Sequence, residues 1–477
     1  MLGVARGAAL YVGALIGPGV LLVPSLAAGA AGPASVVAWA GLLLLSIPLV
    51  VTFGALGVRH PVPGGVAAYV REGFGETAAA VTGNTFLGAG LFGAPAVALI
   101  GGYYVSDLTG GGTAAAVGVG VGIIAVVFGA NTLGLRISSG VQLGLSAVLV
   151  AVIVVAVAVA LPGRATHHWT PFAPHGWWAV GTAASILVWL FVGWEAMAQL
   201  AGEFRNPARD LPRAIALAFG VVAVLYAGLA VATGAVTPGR GSRVPLADLI
   251  SVGFGRAGRD AAAVLAVALT MGTMNVYTGS MAKLAGALAQ AGALPAWLGG
   301  DAQRSVPRRP LVPLFVAYLA MLAALAAGAA TPGTFVRATS ACFVLVYVLA
   351  IASAARVSRG TLRACASVAL ALVCAVGGFS SWYLLVPLAA SVLTLALRYH
   401  AARRVEGVRN LWEEAGVRPS SVALDGCDEA PLRPEPAARP HPPQGLADAR
   451  LRLHPLPEGR QGAEGGLVAQ DQRRGGR

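Results

Sequence analysis

The sequence predicts an all-α polytopic membrane protein of about twelve transmembrane helices, in which the first and the sixth helix are broken. Three observations support this fold class. Over its 477 residues the chain is 57% hydrophobic and only 11% charged, and its mean hydropathy is +0.74, which excludes an ordinary soluble protein of this length. Apolar segments long enough to span a bilayer recur along the chain. Glycine and proline interrupt two of these segments.

The apolar segments follow one another closely from the N-terminus to about residue 400. Each has at least the roughly 17 residues that a helix needs to cross the hydrocarbon core. Only the short interval 377–381 separates the last two, so their boundary depends on that interval alone. The segments lie at 7–28, 34–57, 79–105, 113–131, 137–161, 179–202, 213–236, 259–287, 311–330, 335–355, 362–378 and 382–398.

Arginine and lysine are distributed unevenly among the predicted loops. With a cytoplasmic N-terminus, the inner loops carry more than twice as many basic residues as the outer loops. Because basic loops stay in the cytoplasm, we expect both termini to be cytoplasmic. The net charge of +13 therefore belongs to loops beside the membrane. No basic patch is interleaved with aromatic residues, so nucleic acid is not a predicted partner.

The stretch Gly13–Pro24 lies inside the first apolar segment and contains three glycines and two prolines. These residues interrupt a membrane helix and leave backbone groups unpaired. Unpaired backbone at this depth is tolerated only where protein or a watery cavity supplies partners, which indicates a binding site. Because the first span runs outward, the half-helix after the break presents free N–H groups near residues 17–21, and these favour an anion.

A second interruption falls in the sixth segment, at Gly193, and Glu195 follows it. Glu195 is the only acidic residue well inside a predicted span, and such a carboxylate usually faces a cavity or a partner. Two explanations stay open for it: a site residue, or a structural clamp hydrogen-bonded to backbone or to Asn275. Because the sixth span runs inward, its first half ends at the break with free carbonyls near residues 189–192, which favour a cation.

The two interruptions each open a set of five spans, which predicts an inverted 5+5 repeat with a midplane site. The repeats would occupy residues 1–161 and 162–356, followed by two further spans within 357–399. Residues 400–477 are rich in Pro, Arg, Gly and Glu, which predicts a disordered cytoplasmic tail with at most a short helix at 410–415. An anion site beside a cation site suits a zwitterion, and an α-amino acid is the obvious small solute of that kind.

Four motifs carry a resemblance to a known family. They are Gly-x-x-Ile-Gly-x-Gly at 13–19 with Pro24, Pro-x-x-Gly-Gly at 61–65, Phe-x-Gly-x-Glu at 191–195, and Glu-x-x-Asn-Pro-x-x-x-x-Pro-Arg-Ala at 203–214. With these motifs, residues 5–400 resemble the amino acid-polyamine-organocation (APC) transporters. Within that superfamily, the chain is most similar to the bacterial exporters of L-methionine and branched-chain amino acids, including Asn275-Val276-Tyr277 with Ala282 in the eighth span.

The resemblance implies a substrate site and gives roles to its members. Backbone amides at Gly17, Gly19 and Val20 would hold the substrate carboxylate, and Phe191 would be an aromatic gate whose carbonyl helps to hold the ammonium group. Asn275 would line or brace the site. The full set of substrate-site residues is Ile16, Gly17, Gly19, Val20, Phe191, Gly193, Trp194, Glu195, Asn275 and Tyr277.

The same resemblance gives Glu195 two further roles: organising the broken sixth helix, or carrying a coupling proton if burial raises its pKa. Trp194 stands where a smaller aliphatic residue is expected, which leaves the side-chain specificity open. The loop that enters the seventh span would form a cytoplasmic gate, and its alternative is a solvated charged loop. The gate residues would be Arg59, Glu203, Asn206 and Arg213.

These observations predict a secondary transporter of neutral, hydrophobic amino acids (methionine, leucine, isoleucine, valine) that works by alternating access, with efflux as the expected direction. We expect a multi-pass protein of the bacterial inner membrane, with a proton as coupling ion, no cofactor or metal, no enzymatic activity, and a monomeric or homodimeric state. One alternative is an importer or exchanger of other amino acids or polyamines. Another is a non-transporting membrane sensor or accessory subunit whose tail recruits a partner.

Overall fold

The computed structural model describes residues 3–59, 65–135, 139–161, 169–194, 203–236 and 242–414. Helices joined by short connections make up nearly all of this part of the chain. The helices are α1 (Val4–Leu15), α2 (Val23–Ala31), α3 (Ser35–Arg59), α4 (Gly65–Thr109), α5 (Gly112–Thr132), α6 (Ser139–Ala160), α7 (Trp178–Leu187), α8 (Pro207–Val236), α9 (Pro245–Gln290), α10 (Leu311–Ala326), α11 (Pro332–Val357), α12 (Thr361–Gly378) and α13 (Leu385–Glu414).

The all-α polytopic membrane fold is confirmed. Among the described residues, nine helical stretches are long and apolar enough to cross a membrane, and three shorter apolar helices complete the series. The first predicted span corresponds to α1 and α2 together. Large apolar side chains on the outer helices are more than half exposed, as expected for surfaces that face lipid rather than water: Val148, Val224, Val264, Val312 and Val392.

Two boundaries differ from the expectation. The ninth span ends at Ala326, earlier than residue 330, because Gly328 has a positive φ (+74°) and its amide closes the helix by donating to Leu325 O at 3.0 Å. The last helix continues through Glu414, so residues 400–414 are not part of a disordered tail. They contain three Arg, three Glu and two Ala, which favour helix, and the next proline is Pro419. Residues 415–477 lie outside the described part.

Helices α4 and α9 contain kinks of the same kind. Gly75 (φ +82°) bends α4, and Gly255 (φ +54°) bends α9, and these are conformations that glycine adopts without a side-chain penalty. Each glycine closes a Gly-Phe-Gly sequence, at 73–75 and 253–255. Each kink separates a short helix from the third or the eighth span, which are partners in a 5+5 repeat. This match supports the predicted repeat, whose boundaries stay a prediction.

Helix α4 packs against α5, α9 and α11 at the centre of the bundle. Glycines allow these helices to approach closely, as is usual in membrane bundles. A Cβ atom built on Gly102 would overlap Ala116 O of α5, and one on Gly101 would lie 2.6 Å from Thr270 Oγ1 of α9. The third and eighth spans are thereby held together beside the first break.

Candidate substrate site at two opposed helix breaks

The first span is broken between α1 and α2. Ile16 and Gly17 are extended, Pro18–Leu21 forms one 3-10 turn, and α2 begins at Val23. Proline explains this geometry: Pro18 has no N–H to donate, and a residue that precedes proline is disfavoured in the α conformation. The amides of Gly17 and Gly19 make no hydrogen bond to other described residues, and the position of a Cβ on Gly17 is open space.

Val20 differs from its expected role. Its amide donates to Gly17 O at 3.2 Å within the 3-10 turn, so this N–H is already used in the structure. The reason is that the turn starting at Pro18 closes hydrogen bonds between residues three apart. Ile16 and Val20 are both fully buried, at 0% and 1% exposure.

The sixth span is broken after α7. A 3-10 turn continues the helix from Val188 to Phe191, Val192 is extended, and Gly193 has a φ of +125°. The Gly193 amide donates to the Tyr347 hydroxyl of α11 at 3.2 Å. Glu195 and the remainder of the predicted span, through residue 202, lie outside the described residues.

The two breaks face each other. A Cβ on Gly193 would lie 3.3 Å from Ala14 O, in tight contact with the end of α1. A Cβ on Gly19 would lie 2.9 Å from Leu190 Cδ2. Helices α4 and α9 also pack on the 3-10 turn of the first span. The structure thus brings the first, third, sixth and eighth spans together at one place.

Tyr226 of α8 joins the ends of both broken helices. Its hydroxyl lies 3.1 Å from Leu15 O, at the end of α1, and 2.8 Å from Leu190 O, in the 3-10 turn after α7. Its ring packs on Phe191 and Trp39, with ring centroids 5.2 Å apart in both pairs. Leu190 O, one of the carbonyls expected to be free, therefore already accepts a hydrogen bond.

Tyr104 of α4 has a similar position on the other side of the first break. Its hydroxyl donates to Leu21 O at 3.0 Å and accepts from the Leu246 amide at 3.3 Å.

Sequence reasoning did not identify Tyr226, Tyr347 or Tyr104. The available signal was that a tyrosine in an apolar span needs a partner for its hydroxyl.

The other predicted site residues occupy different positions. Phe191 is buried in the ring cluster with Tyr226, and Trp194 is fully buried beside Phe219, with ring centroids 5.9 Å apart. Trp194 Nε1 has no hydrogen-bond partner in the described ranges. Asn275 of α9 donates from Nδ2 to Leu135 O at 3.2 Å, after the end of α5. Tyr277 is half-buried on the same helix.

The predicted cytoplasmic gate is only partly described. The Asn206 carbonyl accepts the amides of Arg209 and Asp210 at 3.2 and 2.8 Å and so begins α8. Glu203 and Arg213 are exposed, and neither forms an ion pair within the described ranges. Arg59 ends α3, and its side chain lies outside the described part. The gate stays a prediction.

Phe204, between these gate residues, connects the loop to the first span. It is 3% exposed and stacks on Tyr11 of α1, with ring centroids 6.1 Å apart. A Cβ on Gly7 would lie 2.6 Å from Phe204 Cε1. A movement of the loop that contains Phe204 would therefore displace α1 or break this contact.

Comparison with known proteins assigns the family. The model of the amino acid permease family matches residues 2–400. The chain belongs to the amino acid permease family. This assignment confirms the resemblance to the APC transporters.

Two relatives align with the permease over most of its length. An uncharacterized amino acid permease, YecA, of Bacillus subtilis is 33% identical over 387 residues, which are 80% of this chain and 91% of the relative. The L-methionine/branched-chain amino acid exporter YjeH of Escherichia coli is 30% identical over 406 residues, 83% and 96% of the two chains. The branched-chain amino acid permease BcaP of Bacillus subtilis is 27% identical over 246 residues, 48% and 53%.

The permease is thus a multi-pass membrane transporter whose small-molecule substrate is an amino acid. Its relatives are permeases and an exporter rather than enzymes, in agreement with the prediction from the sequence. The two opposed breaks lie within the part of the chain that the family model matches.

Proposed function

We propose that this permease exports neutral, hydrophobic amino acids, methionine and the branched-chain amino acids, by alternating access around the two breaks. The observation that carries the proposal is the opposition of two broken helices. The turn Pro18–Leu21, where the amides of Gly17 and Gly19 have no partner among the described residues, faces the C-terminal end of the turn Val188–Phe191. Amides favour the carboxylate of a substrate, and carbonyls favour its ammonium group.

The side chains at the breaks support a neutral and apolar substrate. Residues 16–22 and 188–194 contain no charged residue. Ile16, Leu21 and Phe191 are buried there, so an apolar substrate side chain would meet apolar surroundings, whereas a second substrate charge would find no counter-charge among them. Two relatives whose names give methionine or branched-chain amino acids as substrates point to the same class.

Glu195 is the proposed proton carrier. It immediately follows Trp194, which is fully buried. A carboxylate within a predicted span usually faces a cavity or a partner, where it can bind and release a proton. Export driven by proton entry needs a group that binds and releases a proton. Glu195 is the candidate, because no other acidic residue falls well inside a predicted span.

The test is uptake of labelled leucine and methionine into inverted membrane vesicles energised with a proton gradient. We expect accumulation by the intact chain and its loss, by at least about tenfold, in Glu195→Gln. Glu76→Gln is the matched control, because Glu76 is 62% exposed and pairs with Arg71 at 2.7 Å on the surface; this variant should transport normally.

Other outcomes would change the proposal. Flux that requires preloaded amino acid would indicate exchange, and uptake only in right-side-out vesicles would indicate import. Competition by putrescine but not by leucine would move the substrate class to polyamines. Absence of flux of either amino acid with a folded protein would contradict the substrate assignment.

A further inference from the structure

The connection between α9 and α10 contains an open, basic pocket apart from the two breaks. It has a volume of about 520 Å³. We call it the arginine pocket, and its lining residues are Gly300, Asp301, Gln303, Arg304, Arg308 and Arg309. Three guanidinium groups against one carboxylate give the pocket a net positive charge.

The arginine pocket is held in shape by specific hydrogen bonds. Asp301 Oδ2 accepts the backbone amides of Arg308 and Arg309 at 2.6 and 3.1 Å. Arg308 Nη2 donates to Thr132 O at 2.9 Å, and Arg309 Nη1 donates to Trp297 O at 3.1 Å. The bonds from Nη2 of Arg308 and Nη1 of Arg309 orient the two guanidinium groups. Each guanidinium has five N–H donors, so most of them stay available for a ligand.

The side chain of Arg304 is less constrained than those of Arg308 and Arg309. Its backbone amide donates to Asp301 O at 3.0 Å, but its exposed side chain makes no hydrogen bond or ion pair to other described residues. A long cationic side chain with all five donors available is suited to binding a phosphate group in bidentate fashion.

The surroundings of the pocket favour a lipid over a soluble anion. Helix α10 begins at Leu311, two residues after Arg309. It exposes Val312 (67%) and Val316 (61%), which are four residues apart and so lie on one face. Trp297 is 54% exposed beside the pocket, as is typical of residues at the membrane–water interface. A molecule with its head group at the arginines could extend its acyl chain along the valines.

We propose that the arginine pocket binds the phosphate head group of an anionic phospholipid, with an acyl chain along the exposed face of α10. Basic pockets between membrane helices recognise such head groups through charge and through hydrogen bonds to phosphate oxygens. The site is separate from the substrate site, so the proposal does not depend on which amino acid the permease transports.

The experiment titrates the purified full-length protein in detergent with phosphatidylglycerol or phosphatidylcholine and counts bound lipids by native mass spectrometry. We expect tighter binding of phosphatidylglycerol, weakened about fivefold by Arg304→Gln, the usual effect of one basic side chain beside an anionic lipid. Arg359→Gln, which removes an exposed arginine outside the pocket, is the matched control and should bind as the wild type does.

A second variant separates shape from charge. A Cβ on Gly300 would overlap the guanidinium of Arg309, so Gly300→Ala should displace that group and weaken phosphatidylglycerol binding at unchanged net charge. Equal effects of Arg304→Gln and Arg359→Gln would overturn the proposal, as would equal binding of both lipids or full binding by Gly300→Ala and Arg304→Gln. Displacement of the lipid by millimolar inorganic phosphate would assign the pocket to a soluble anion instead.

Discussion

At the scale of single residues, the Tyr226 hydroxyl holds the ends of both broken helices. A hydroxyl has one proton, and here two carbonyls, Leu15 O and Leu190 O, lie within hydrogen-bond distance of the same oxygen. The shorter distance is to Leu190 O, at 2.8 Å against 3.1 Å for Leu15 O, and the single proton couples the two breaks through one hydroxyl. Movement of one half-helix during transport would thereby change the hydrogen bonding of the other.

We expect Tyr226→Phe to lower the transport rate about five- to tenfold, because one buried hydrogen bond is worth roughly 1 kcal/mol and its loss leaves a carbonyl unsatisfied. Labelled leucine flux in reconstituted vesicles measures this. The phenylalanine retains the ring contacts with Phe191 and Trp39.

The control for this prediction is Tyr318→Phe in α10. Tyr318 is also fully buried, and its hydroxyl has no partner in the described part of the chain. The same chemical change there should leave flux unaltered. Equal losses in the two variants would argue against a specific role for Tyr226.

At the scale of elements, the kinks of α4 and α9 position short helices beside the third and eighth spans. Their Gly-Phe-Gly sequences are 180 residues apart, at 73–75 and 253–255. This internal similarity was readable from the sequence, but only a comparison of the two predicted halves would have found it. A sharp bend needs a glycine in this backbone conformation, which explains why both kinks use the same residue type.

We expect Gly75→Ala to destabilise the protein by about 1–3 kcal/mol, because alanine is strained at a φ of +82° and a ψ of −177°. The temperature at which the detergent-purified protein loses its monodisperse peak would measure this change. Gly122→Ala in α5 is the matched control, since Gly122 is in a regular helix and a Cβ there would meet nothing within 4 Å. An unchanged melting temperature in Gly75→Ala would show that the kink can relax.

At the scale of the whole molecule, the family match ends at residue 400, whereas α13 continues to Glu414. The sequence predicts that the residues beyond cannot bury enough apolar surface to fold alone. A transporter with the proposed site between the first, third, sixth and eighth spans does not need that tail for flux.

We therefore expect deletion of residues 415–477 to leave leucine transport within about twofold of the intact chain. Expression-normalised vesicle uptake is the measurement. Deletion from residue 401 serves as a comparison, because it also removes the end of α13. Loss of function on removing 415–477 alone would instead favour a membrane module that recruits a partner.

Much of this architecture could be predicted from the sequence because the bilayer imposes strong local rules. Length and hydropathy locate the spans, and the proline at position 18, with glycines on both sides, locates the first break. The end of α10 was misplaced because the apolar run continues past Ala326, and a turn at Gly328 rather than a polar residue stops the helix.

The sequence by itself determined the fold class, the two breaks and the family, since these depend on composition, local backbone chemistry and motifs within short stretches. Only the tertiary structure decided which groups meet across the bundle: Tyr226 with Leu15 and Leu190, Tyr347 with Gly193, and the arginines between α9 and α10. The physical reason is separation along the chain. Tyr226 and Leu15 are 211 residues apart, and no local rule of helix formation encodes which distant side chain packs against a given carbonyl.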